Sequence, residues 1–174
     1  MTPSVYLISG IQAAGKSTVA QALAERLPRS AHVRGDTFRR FVVGGREEMS
    51  QEPSQEALRQ LCLRHRLAAK TADAYVAEGF TAVLQDTMLG ELLQYTVDQI
   101  ETRPLYVVVL VPRAEVVAAR EAGRAKQAYG AFTVAELDSA LWHTPRIGLW
   151  LDTSYLTVQE TVDQILTRAE PLSQ

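Results

Sequence analysis

With one cysteine, Cys62, among 174 residues, the chain cannot close a disulfide within itself, and so sparse a use of thiols fits a reducing cytoplasm. Its three histidines, His32, His65 and His143, stand far apart with no metal-ligand spacing around them, which argues against a structural zinc site. Long apolar runs are also missing, so no segment is expected to span a bilayer. The first strand-like run follows Met1 within a few residues, with no charged leader before it. Neither sign of charge dominates: a net charge of −2 argues against holding nucleic acid by a broad basic surface, though not against a small basic patch. Proline, glycine and serine are scattered, and no repeat or low-complexity tract appears. The expectation is a single cytoplasmic domain over residues 1–174, a monomer or a homodimer.

What the chain does have is Gly10-Ile11-Gln12-Ala13-Ala14-Gly15-Lys16-Ser17-Thr18, the phosphate-loop pattern GxxxxGK[ST]. Four free positions make the bare pattern weak, so its surroundings decide. Val5-Tyr6-Leu7-Ile8 before it reads as a buried parallel strand, while Val19, Ala20, Leu23, Ala24 and Leu27 after it recur at helical spacing until Pro28. In that setting the backbone N–H groups of the loop wrap a polyphosphate. Lys16 neutralises its β- and γ-phosphates, and the Ser17 hydroxyl suits Mg²⁺, which prefers hard oxygen ligands. The expected nucleotide contacts are Gly10, Ala13, Ala14, Gly15, Lys16, Ser17 and Thr18, with Lys16 an exposed phosphate ligand.

Further strands are predicted at 31–34, 81–86, 105–111 and 147–152, and helices from 37, over 54–78, over 89–100, from about 113 and over 157–168. Leu58, Leu61, Leu63, Leu67, Ala68, Ala72, Tyr75 and Val76 form the expected buried stripe of the long helix, and Thr157 with Glu160 forms a capping box for the last one. Strands alternating with helices imply a three-layer α/β sandwich around a five-stranded parallel sheet, which binds ligands at the carboxyl ends of its strands. Asp36, Asp86 and Arg113 all fall at that edge.

The phosphate loop, Arg34-Gly35-Asp36 followed by Phe38-Arg39-Arg40, and the spaced Arg113, Arg120 and Arg124 together resemble the P-loop small-molecule kinases over nearly the whole chain. That group includes gluconate and shikimate kinases, chloramphenicol phosphotransferase, polynucleotide 5′-kinases and similar AAA_33-type ATP-binding proteins. The resemblance implies strand order 2-3-1-4-5, ATP and Mg²⁺ as cofactors, and a lid within residues 113–145 whose Arg120 and Arg124 close on the phosphates. It also implies Asp36 as the base for the acceptor hydroxyl, an acceptor region within 37–75, and adenine held near Thr153. The sequence departs from nucleoside monophosphate kinases after its third strand, where Gln85-Asp86-Thr87-Met88 stands in place of Asp-Gly-x-Pro-Arg.

Each of these residues also has a plain structural reading. Asp36 can serve simply as a helix N-cap, and Arg120 and Arg124, four apart on one helical face, can be solvated surface charges. Asp86 ends an apolar strand and reads as a Mg²⁺ ligand acting through water, or as a substrate contact beside Asp36, Arg39 and Arg40. Gly123 and Gly130 supply hinges for the lid, and Gly44-Gly45 supplies them for a substrate flap. Trp142 and Trp150 read as packing residues. The function expected first is ATP-dependent phosphorylation of a hydroxyl on a small metabolite or antibiotic. The alternatives are a polynucleotide 5′-hydroxyl kinase and a nucleotide-binding switch without an acceptor.

Overall fold

Continuous apolar runs become strands and the three-to-four-residue repeats become helices in a computed structural model that describes residues 1–122 and 132–173. In chain order the elements are β1 (Val5–Gly10), α1 (Lys16–Arg26), β2 (Ser30–Arg34), α2 (Asp36–Arg40), α3 (Gln55–Ala77) and β3 (Thr81–Gln85). There follow α4 (Glu91–Gln99), β4 (Leu105–Leu110), α5 (Ala114–Ala122), α6 (Val134–Trp142), β5 (Leu149–Leu151) and α7 (Val158–Arg168). All strand pairs are parallel, in the order β2-β3-β1-β4-β5 that the resemblance implied. α1 packs with α7 on one face of the sheet and α3 with α4 on the other, as right-handed crossovers require.

β1 lies at the centre, paired from Val5↔Leu105 to Gly10↔Leu110 on one side and from Val5↔Ala82 to Ile8↔Gln85 on the other. Covered on both faces and both edges, all of it is buried. Side chains such as Leu7 and Ile8 there contribute about 1.5–3 kcal/mol each by leaving water. This rigid core holds the phosphate loop and the ends of β2 and β3 at one edge of the sheet.

Three local expectations change. The face that α3 turns to the sheet is Ala68, Ala69, Ala72 and His65, small residues that let the helix approach closely, while Leu58, Leu67 and Tyr75 of the expected stripe are exposed. β5 is shorter than 147–152: Gly148 enters it with φ 69° and Asp152 turns away to accept from Ser154, leaving Leu149–Leu151 in the ladder. α6 is an additional helix within the region expected as a lid, opened by a second capping box in which Thr133 and Glu136 bond reciprocally. The capping box expected at Thr157 and Glu160 is present.

His32 on β2 gives the fold a pH dependence. Gln21 donates through Nε2 to Glu25, so its Oε1 faces the His32 Nδ1 at 2.8 Å and accepts from a neutral ring. Burial first, and then the Arg34 cation, push the His32 pKa from 6.5 down to about 4. Between those values the unfolded chain binds a proton that the native protein does not. The contribution of His32 to stability is therefore complete above pH 6.5 and is lost as the pH falls towards about 4. Urea unfolding of wild type and His32→Gln across that window should show the steeper acid loss in wild type. Parallel curves would mean that His32 titrates alike in both states.

Candidate active site

The phosphate loop is shaped by backbone angles that few side chains allow. Gly10 has φ 150° and Gly15 φ 91°, and a Cβ on Gly10 would come within 2.8 Å of the Leu110 carbonyl. Ala13 sits at φ 60°, a left-handed conformation costing an L-residue roughly 1–3 kcal/mol. Ser54, Thr133 and Thr157 cap their helices with a side chain, but α1 begins behind Gly15 with no side-chain cap and no acid in its first turn. Its first N–H groups and its positive dipole end therefore stand ready for an anion. Ser17 and Thr18 are exposed in that turn. Lys16 is buried rather than exposed, folded over the loop with its Nζ donating to the Ile11 carbonyl at 2.8 Å.

Asp36 is not spent on capping. Gly35 takes the N-cap position of α2, Asp36 is the first helical residue, and its carboxylate remains 44% exposed. Its ion pair is with Arg40 at 3.5 Å, one helical turn away, and an exposed pair of that kind holds weakly. Arg40 is thus turned to Asp36, while Arg39 lines the cleft beside it and pairs with Glu48 at 2.8 Å.

Asp86, just past β3, is deeply buried. Its Oδ2 accepts from Arg64 Nε at 2.7 Å, and its Oδ1 accepts from a second Arg64 nitrogen and from the Thr87 N–H at 2.7 Å. Ser9 fixes the turn beyond it, donating to the Met88 carbonyl at 2.8 Å and accepting from the Met88 N–H at 3.1 Å. His65 is wholly buried with its Nδ1 3.9 Å from Asp86 Oδ2. Burial lowers its pKa against the pull of Asp86, and the Arg64 cation lowers it further, so this contact is that of a neutral ring and not an ion pair.

Gly35 packs directly on this carboxylate: a Cβ there would overlap it, lying 2.7 Å from the Asp86 Cγ. We therefore expect Gly35→Ala to displace Asp86 from Arg64 and to destabilise the protein by about 1–3 kcal/mol, the usual cost of overpacking a held site. An unchanged urea midpoint would show that Asp86 moves aside freely.

One cleft of about 910 Å³ is lined by Gln12, Ala13, Gly15, Lys16, Ser17 and Thr18 together with Asp36, Arg39 and Asp86. Residues Gly10 and Ala14 shape the loop from beneath, and Ala14 is buried. Arg113 and Thr153 stand elsewhere on the sheet edge. The Arg113 N–H donates to Ser154 Oγ at 2.8 Å and its guanidinium lies 5.2 Å from the Tyr155 ring, while Thr153 is buried. Arg120 is exposed near the end of α5; Arg124, with Gly123 and Gly130, lies outside the described residues. The segment around Gly44-Gly45 is fastened to α3, since Gln60 donates to the Gly45 carbonyl at 2.8 Å and accepts from the Glu47 N–H at 2.9 Å. Trp142 and Trp150 flank Arg146, whose guanidinium is 4.3 Å from the Trp150 ring and 5.2 Å from that of Trp142.

Arg64, Gln60 and His65 were not expected in the site. Arg64 had left a trace: it stands three residues after Leu61 and four before Ala68, a charge set in the inward stripe of a helix, where a partner is required.

A strand feeding a backbone cradle and an uncapped helix, on a parallel sheet of order 2-3-1-4-5, defines the P-loop α/β fold of the small-molecule kinase group. Within it the chain belongs to the AAA_33 family, described as an AAA domain, whose model matches residues 5–143. No curated protein matches the chain. Among solved structures it is similar to a sugar kinase from Janibacter sp. HTCC2649, at 18% identity and TM-score 0.68 over 97% of this chain and 94% of that one. The tunicamycin resistance protein of Deinococcus radiodurans is similar at 18% identity and TM-score 0.69, over 99% and 100%. The Mycobacterium tuberculosis APS kinase, solved with AMPPNP and APS, is similar at 16% identity and TM-score 0.71, over 95% and 96%.

Proposed function

We propose that the protein transfers the γ-phosphoryl group of ATP to a hydroxyl of a small molecule, within a single cytoplasmic domain that acts as a monomer or homodimer. The observation that carries this reading is that Lys16, Ser17 and the Asp36 carboxylate line one cleft, with Asp36 left uncapping and half-exposed. Phosphoryl transfer needs positioning and charge compensation, and the cleft offers cations, hydroxyls and one acid able to orient an acceptor.

Gly10, Ala13, Ala14, Gly15, Lys16, Ser17 and Thr18 then hold the phosphates, and Thr153 lies by the adenine. Mg²⁺ fits the hydroxyl of Ser17 directly and Asp86 through water, because Arg64 and Thr87 already engage the Asp86 oxygens. When bound, the ion neutralises charge on the β- and γ-phosphates. Asp36 accepts the acceptor proton, and residues 37–75, with Arg39 and Arg40, hold the acceptor. Arg120 and Arg124 close with the 113–145 region over the transferring group, and their loss should lower kcat more than it raises KM for ATP.

The test is ATP consumption with and without a panel of hydroxyl compounds and a 5′-hydroxyl oligonucleotide, with the phosphorylated product identified. Consumption raised by no acceptor would leave a nucleotide switch, and labelling of the oligonucleotide alone would make the protein a polynucleotide kinase.

A further inference from the structure

Away from the cleft, α3 and α4 carry opposite charges side by side. Gln60 and Arg64 turn one flank of α3 to the cleft, while its other flank exposes Arg59, Arg66 and Lys70 at helical spacing. The outer face of α4 exposes Glu91, Gln94 and Asp98. A shallow depression of about 360 Å³ lies among the arginines, lined by Leu58, Cys62 and Leu63 between Arg59 and Arg66, and Leu58 is 44% exposed.

Contacts between the two helices set their relative height. The Tyr95 hydroxyl donates to the Cys62 carbonyl at 3.5 Å, and further along Asp73 accepts from the Glu101 and Thr102 N–H groups, each at 3.0 Å. The helices therefore run in the same direction with Cys62 beside Tyr95. Glu91 stands about a turn before that level, as Arg59 does on α3, and Asp98 about a turn after it, as Arg66 does. Within one copy these charges are not spent. The side chains of Arg66 and Glu91 make no ion pair or hydrogen bond among the described residues, and Asp98 accepts from the uncharged Gln94 at 2.7 Å. Arg59 has an exposed pair with Glu56 at 2.9 Å, which holds weakly.

We infer that this face binds a second copy of the chain about a two-fold axis at the seam between Cys62 and Tyr95. Rotation about that axis lays α3 of one copy antiparallel across α4 of the other. Arg66 then stands opposite Glu91 of the second copy and Arg59 opposite its Asp98, and each contact occurs twice. An acidic or a basic partner protein would match one helix and be repelled by the other, whereas a turned copy matches both. The apolar depression is covered at the centre, and the charges around it set the register. Gln60 and Arg64 stay on the opposite flank of α3, so the contact neither uses the cleft nor depends on its chemistry.

The experiment is sedimentation equilibrium of the full chain over a wide range of protein concentration. Wild type should associate reversibly to a dimer, and more weakly as salt rises from about 0.1 M to 1 M, where the screening length falls from about 10 Å to 3 Å. Arg66→Glu and Glu91→Arg each set like charges opposite one another twice per dimer, and each should weaken association on the order of 10²-fold or more. Both positions are exposed, so folding loses little, and circular dichroism checks it. Mixed in equal amounts, the two variants bring opposite charges together again at both contacts, and they should form a heterodimer of near wild-type strength. A wild type that stays monomeric at every concentration overturns the inference. So does a dimer that neither substitution weakens, which would use another face, and so does a mixture that recovers nothing, since the two residues would then not meet.

Discussion

Lys16→Ala is expected to all but abolish phosphoryl transfer, by about 10³-fold, the upper end of what removing one preorganised charge-stabilising donor costs. The Nζ of Lys16 rests on the Ile11 carbonyl at 2.8 Å, at the turn of the loop that would wrap the phosphates. Exchanging a carbonyl for phosphate oxygens is a short movement of a side chain already inside the loop, so the cation acts on the transferring group without a large rearrangement. Because Lys16 is buried, the substitution also removes a charged hydrogen bond, and a stability loss of about 1–3 kcal/mol should accompany it. Activity and urea unfolding measured on the same sample separate the two effects. A folded Lys16→Ala protein that turns over like wild type would sink the phosphate-loop assignment.

The parts of this molecule that were legible in its sequence are those where one short segment determines its own structure. The loop from Gly10 to Thr18 is such a segment: its glycines, the strand before it and the helix after it make one continuous pattern, and its position could be read directly. β4 was legible because a strand with neighbours on both edges and helices on both faces is apolar throughout, as Leu105–Leu110 is. The Thr157–Glu160 capping box was legible because its partners are three residues apart.

Relations across the chain were not legible in this way. Arg64 and Asp86 lie 22 positions apart, and their pairing depends on how α3 lies across β3. The leucines of α3 have helical spacing whether they meet a core or a cleft, and only the packing of Ala68, Ala69 and Ala72 on the sheet turns Leu67 outward. Periodicity shows that a helix has an apolar face; it does not show what that face covers. The same ambiguity hid the contrast between Asp36 and an N-cap. Gly35 starts α2 because it is pressed against Asp86, a contact between two strand ends distant in sequence.

That contact bears on Asp36→Asn, for which we expect transfer to the acceptor to fall by about 10²–10⁴-fold, the range of a general base, with ATP affinity kept. The amide matches the carboxylate in shape. Since Asp36 caps nothing and lies 44% exposed, the change removes little that holds α2 in place beyond the weak pair with Arg40. Gly35, packed on Asp86, continues to anchor the start of the helix. The side chain that results can still orient a hydroxyl but can no longer accept its proton, so the loss should fall on kcat with the acceptor and leave nucleotide titrations unmoved. A second substitution sharpens the assignment. Asp86→Asn strips the charge facing Arg64 in a buried setting, so it should cost stability, on the order of 3–5 kcal/mol where a buried pair is broken, as well as activity. If Asp36→Asn lost ATP affinity and turnover together, Asp36 would belong to the nucleotide and metal site, and the base would have to be sought elsewhere in the cleft.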